Sequence, residues 1–230
     1  MKFASLSTLL FALIMPFHSI SAEAEATTNS PNGKGNAPLA LGISFFKGDG
    51  VPKDDGMAAR YFRMSADQGN VDAQNLLGIL YKFGQGIPKD SHEAVRWFRI
   101  AAGSGHADAQ NNLGTMYFSG QGVSQDFRDA VKWFRLAADQ GSADARNNLA
   151  VAFDEGKGVP SNRVIAYALF NVASASKTSN DDSVILGRKL VANKMSGAEI
   201  SEAQILTREM SKPNKFLLAL DEYIKKSKVK

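Results

Sequence analysis

The chain has 230 residues, of which 44% are apolar and 22% charged, with seven prolines, which suits a sizeable folded core and argues against a disordered chain. Its 27 basic residues exceed its 23 acidic ones by too little to argue for nucleic acid as a partner. The absence of cysteine excludes disulfide scaffolds, thiolate metal sites, thiol nucleophiles and cysteine-linked lipid attachment, and three histidines are little material for a metal centre.

Residues 1–22 read as a cleavable secretory signal. Lys2 is a short positive start, Leu6 to Phe17 is an apolar stretch, and small residues at Ser19, Ser21 and Ala22 offer a cleavage site. The stretch is well short of the roughly 20 apolar residues of a spanning helix, so it predicts export rather than anchoring. The expected location is the periplasm of a Gram-negative host, or the exterior. Residues 23–36 are polar and rich in turn formers, and read as a flexible linker.

From there a period of 36 residues organises the chain. Gly42, Gly78 and Gly114 are in phase, with Ala150 next. So are Gly48, Gly84, Gly120 and Gly156; Gly50, Gly86, Gly122 and Gly158; and Phe62, Phe98, Phe134 and Phe170. Such coincidence without an insertion marks a repeat architecture. Within each unit two helices are expected. In the second, Ala73, Leu76, Leu77, Leu80 and Tyr81 predict a helix from about Val71 to Lys82, which Gly84-Gln-Gly86 ends. Asp90 then reads as an N-cap with Glu93 completing a capping box, and Trp97, Phe98, Ala101 and Ala102 give the second helix its buried side. Trp133 falls in the same phase as Trp97. A lone hairpin cannot bury its apolar face, whereas stacked copies can.

The residues 72–105, DAQNLLGILYKFGQGIPKDSHEAVRWFRIAAGSG, and 108–141, DAQNNLGTMYFSGQGVSQDFRDAVKWFRLAADQG, resemble the Sel-one-like repeat (SLR), a relative of the tetratricopeptide repeat. Less regular copies occupy 37–69 and 144–176. The resemblance implies an all-α fold, an α/α solenoid with a right-handed superhelix built of about four repeats. Beyond Ser176 the period is lost. Residues 177–181 read as a polar turn, 182–195 and 198–210 as helices, and Pro213 as the opening of a last helix, together a C-terminal helical cap over residues 177–230.

Chemical signals are weak. The G-x-G segments lack the preceding strand and third glycine of a dinucleotide site and the Gly-Lys-Ser/Thr of a P-loop. Asp54, Asp90 and Asp126 sit at N-cap positions, His92 and His106 lack a carboxylate pattern, and Asp154 and Glu155 diverge on a helix. No catalytic residue, cofactor or metal is expected. The resemblance implies a protein-interaction module: an adaptor or regulator in the cell envelope, or alternatively an immunity protein that neutralises a secreted toxin. Cysteine-rich relatives are linked to β-lactam binding, but here a single Ser-x-x-Lys match, Ser174 to Lys177, has no companion motif.

The net charge is local: residues 212–230 hold six lysines against two acids, and residues 23–211 carry one acid more than base. Weak peripheral contact with an anionic membrane is one reading of this tail; a solvated helix end is the other. In tetratricopeptide-like stacks the first helices line a concave groove, and the resemblance implies the same here. Helical spacing then groups Asn75, Ile79 and Lys82, with Leu39, Ile43 and Phe46, Asn111, Thr115 and Phe118, and Asn147, Val151 and Asp154 in phase. These twelve residues are the expected partner-binding set. The asparagine amides suit an extended peptide backbone, or equally a bond between neighbouring helices.

Overall fold

The computed structural model describes residues 35–175 and 182–227. The expected signal peptide, nearly all of the linker, the 177–181 turn and the last three residues lie outside them. Within them are eleven helices and no strand: α1 (Asn36–Lys47), α2 (Asp55–Asp67), α3 (Val71–Phe83), α4 (Ser91–Gly103), α5 (Ala107–Ser119), α6 (Phe127–Asp139), α7 (Ala143–Glu155), α8 (Arg163–Ser174), α9 (Asp182–Ala192), α10 (Gly197–Met210) and α11 (Phe216–Ser227). They form two compact units, one holding α1–α5 and the other α6–α11. In the first, α1 and α2 form a hairpin, as do α3 and α4, and α2 packs on α3 and α4 on α5. In the second, α7 packs on α6 and α8, α8 is covered by α9 and α10, and α11 lies on α10.

The repeat signature has direct physical causes. The in-phase phenylalanines Phe62, Phe98, Phe134 and Phe170 are at most 1% exposed. A side chain at Gly42 or Gly78 would bring a Cβ within 2.6 Å of the Phe62 or Phe98 ring, so only glycine lets those helices approach so closely. Apart from Gly50, which faces open space, the second glycine of each connector has two duties. Gly86 and Gly122 adopt φ of 68° and 66°, and a Cβ there would lie 2.1 Å from the carbonyl oxygen of Asp55 or Ser91. The connector thus rests on the backbone that opens the second helix of the preceding hairpin.

Helix starts follow the expected phases. Asp54, Asp90, Asp126 and Asn162 accept backbone N–H groups of α2, α4, α6 and α8. The capping box expected at Asp90 is not made, because Glu93 turns instead to Arg96 at 2.9 Å. Ser196 and Glu199 do make one at the start of α10. Pro213 does not open the last helix; it lies in the turn before α11, where Asn214 takes a φ of 54°. Trp97 is 4% exposed, whereas Trp133 in the same phase is only half-buried.

One further contact recurs with the period. Gln74 and Gln110 donate to the Ala66 and Ala102 carbonyls at 3.3 and 3.2 Å, and Arg146 in phase donates through Nε to Ala138 at 3.2 Å. Each side chain adds a second donor to a carbonyl in the last turn of the preceding helix, one that already accepts the backbone N–H of Gly69, Gly105 or Gly141.

Candidate functional site

The expected partner-binding residues all lie on first helices, where the packing treats them unequally. On α1, Leu39 is buried at 2% exposure, while Ile43 and Phe46 are half-buried, with Lys53 5.7 Å above the Phe46 ring. On α3 the whole trio is buried. Asn75 is fully enclosed and accepts from Asn112 of α5 at 3.1 Å, so its amide ties two first helices together. Ile79 is packed beside it. On α5, Asn111 and Thr115 keep partial solvent access, Thr115 donates to the Asn111 carbonyl, and Phe118 is buried.

Lys82 is the unusual member of this set. It retains only 8% exposure, and burial pushes its ammonium down to about 8. Its amine lies 5.4 Å from the Phe83 ring, and no carboxylate of the described residues pairs with it. The in-phase neighbours Phe46 and Phe118 are apolar, so the position is one of aromatic packing in which α3 carries a charge.

In the second unit, Asn147 and Val151 on α7 are each 1% exposed. Asn147 leaves both its amide nitrogen and its amide oxygen without a hydrogen-bond partner among the described residues. Asp154 pairs with Lys194 at 3.2 Å, and Lys157 lies 2.9 Å from Glu155, so the two acids do serve separate partners.

The remaining polar candidates have structural duties. His106 is the N-cap of α5: its Nδ1 accepts the Ala109 N–H at 3.2 Å, and its Nε2 lies 3.2 Å from Asp72. Ser174 donates to the Asn171 carbonyl at 3.0 Å, while Lys177 of the Ser-x-x-Lys match lies outside the described residues. On α11, Phe216 and Leu220 point inward, and Lys212 just before it pairs with Glu209. No described helix is long and apolar enough to cross a membrane. Between α10 and α11 an open groove of about 1010 Å³ is lined by Ile205, Leu206, Leu218 and Tyr223 among lysines and glutamates.

Comparison with known proteins adds the following. A family model described as Sel1 repeat matches residues 39–70, 71–106, 107–142 and 143–176. Among solved structures, the chain is similar to a protective antigen of uropathogenic Escherichia coli that displays an SLR fold, at 27% identity and a TM-score of 0.53 over 92% of this chain. This chain spans only 50% of that protein. It is also similar to a Sel1 repeat protein from Oxalobacter formigenes, at 26% identity and a TM-score of 0.59, covering 86% of this chain and 85% of that one. No curated protein matches the chain significantly.

Proposed function

Because the chain belongs to the Sel1-repeat family of α/α solenoid proteins, which act as protein-interaction modules, we propose that it is an exported, non-enzymatic adaptor that binds a partner protein or peptide on its first-helix face. The observation that carries this reading is the uneven burial of that face in the first unit. Ile43 and Phe46 of α1 and Asn111 and Thr115 of α5 retain solvent access in rows whose other members are packed away. Apolar side chains on α1 and a hydroxyl and an amide on α5 suit an extended peptide that reaches across α3, which needs both buried area and backbone hydrogen bonds. The α3 row between them serves packing, and Asn75 in particular belongs to the helix-to-helix bond.

Export rests on the pattern of residues 1–22, and envelope signalling or regulation is the setting that such modules fit. Two measurements test the reading. Sequencing the N-terminus of the protein recovered from its own host is expected to show cleavage near Ala22. A photo-crosslinking residue at Thr115 is expected to give one discrete protein adduct in that host, lost on Ile43→Asp with an unchanged melting temperature. An unprocessed N-terminus removes the exported part of the reading. No adduct, or an adduct indifferent to Ile43→Asp, removes the binding face.

A further inference from the structure

The second helices carry a row of their own. Met64, Ile100 and Leu136 are 36 residues apart and are 51%, 41% and 46% exposed. Scattered apolar side chains on a surface need no explanation, but exposure at the same register of successive helices is a pattern. The residue before each is a cation: Arg63, Arg99 and Arg135.

Within the second unit the structure shows what this register receives. Arg135 of α6 forms an ion pair with Asp221 of α11 at 2.6 Å. Asn171, its counterpart on α8, donates to Thr207 of α10 at 3.3 Å. Val172, the next member of the apolar row, is 5% exposed and faces a cavity of about 430 Å³ shared with Met210 and Phe216. Both polar positions are therefore engaged by amphipathic helices, and the fourth apolar position is covered.

In the first unit the same register is open. Arg63 donates to the Tyr81 hydroxyl and Arg99 to the Tyr117 hydroxyl at 3.1 Å, both neutral acceptors, and the Glu93 carboxylate, itself bonded to Arg96, is close enough to Arg63 to feel its charge. Arg60, one turn before Met64, is exposed. None of these three arginines has an ion-pair partner among the described residues, whereas Arg96 is held by Glu93. We propose that the exposed face of α2 and α4, formed by Met64 and Ile100 with Arg60, Arg63 and Arg99, is a docking surface for an acidic amphipathic helix of a partner protein. The apolar pair supplies burial, and the arginines select carboxylates as Arg135 selects Asp221. This surface is separate from the first-helix face and does not depend on it.

The test uses the full chain and a fluorescent peptide copying residues 213–227, with Lys225 and Lys226 replaced by glutamate. Its counterpart carries lysine in place of Asp221 and Glu222 instead. Fluorescence anisotropy is expected to show saturable binding of the acidic peptide only, weakened at least tenfold by Met64→Glu with Ile100→Glu, and again by Arg60→Glu with Arg99→Glu. The melting temperature of each variant should stay unchanged, since the substituted side chains are exposed. Equal binding of both peptides, or binding that the variants leave intact, overturns the proposal. So does binding to vesicles of anionic phospholipid, or self-association of the chain, that is lost in the same variants without any peptide binding.

Discussion

Burying an ammonium without a counter-charge costs free energy, and Lys82 is where this chain bears that cost. Its amine titrates at 10.5 when solvated and at about 8 in the folded protein, so between those values the unfolded chain holds the extra proton and stability rises with pH. Below about pH 8 the full penalty applies, on the order of 3 kcal/mol. Lys82→Met keeps the length and removes the charge, at a register where Phe46 and Phe118 already show that apolar groups fit. The variant should exceed the parent by roughly 2–3 kcal/mol at pH 7, with the difference closing toward pH 10.5. Urea denaturation at pH 7 and pH 10 measures this, and a pH-independent difference would remove burial as the cause. Two glycines make a second residue-scale contrast. Gly122 and Gly105 both have positive φ, 66° and 90°, but a Cβ meets the Ser91 carbonyl in the first case and open space in the second. Gly122→Ala should cost about 2–4 kcal/mol, strain and overlap together, and Gly105→Ala about 1 from strain alone. Similar costs at both sites would mean that the connector does not rest tightly on α4.

At the scale of helices, two tryptophans in one phase should behave differently. Trp97 on α4 is 4% exposed and Trp133 on α6 only half-buried. Trp97→Ala should cost about 3–5 kcal/mol, as large aromatic deletions do in packed cores, and Trp133→Ala roughly half of that. Equal losses in denaturant midpoint would show that exposure does not grade their packing. The same pair marks how far the sequence could be read. Glycine, alanine and phenylalanine phases disclosed the hairpins because each answers to a fixed steric requirement between two helices, as Gly78 does against Phe98. Helical spacing could place Asn75, Ile79 and Lys82 on one face. It could not tell that a neighbouring first helix covers that face, which Asn112 reveals by bonding to Asn75. Gln74 and Gln110 were visible as repeated letters, but their role depends on a carbonyl eight residues back and on how one helix meets the next. The exposed row of Met64 and Ile100 was likewise in phase, yet periodicity marks recurrence without saying which side meets solvent.

For the molecule as a whole, the stability of a repeat protein is set by each unit and by what covers its open ends. In the second unit that cover is α9 and α10 on α8. Gly187 of α9 lies against the Phe170 ring, where an added Cβ would sit 2.6 Å from the nearest ring atom. Phe170 is fully buried, so the ring has little freedom to retreat. Two effects then oppose each other in Gly187→Ala. Alanine favours the interior of a helix by about 1 kcal/mol over glycine, while forcing a methyl group into a packed contact costs roughly 1–3 kcal/mol. If α9 holds the end of the array closed, overlap wins and the variant is destabilised in the denaturant midpoint, with increased binding of a dye that reports exposed apolar surface. If α9 rests only loosely on α8, propensity wins and the variant is more stable than the parent. A chain ending at Ala175 supplies the reference for complete loss of the cover. Its midpoint should fall further than that of Gly187→Ala, because Val172 then loses Met210 and Phe216 as well. A stabilised Gly187→Ala, or a shortened chain that unfolds at the parent's midpoint, would show that the C-terminal helices do not close the array.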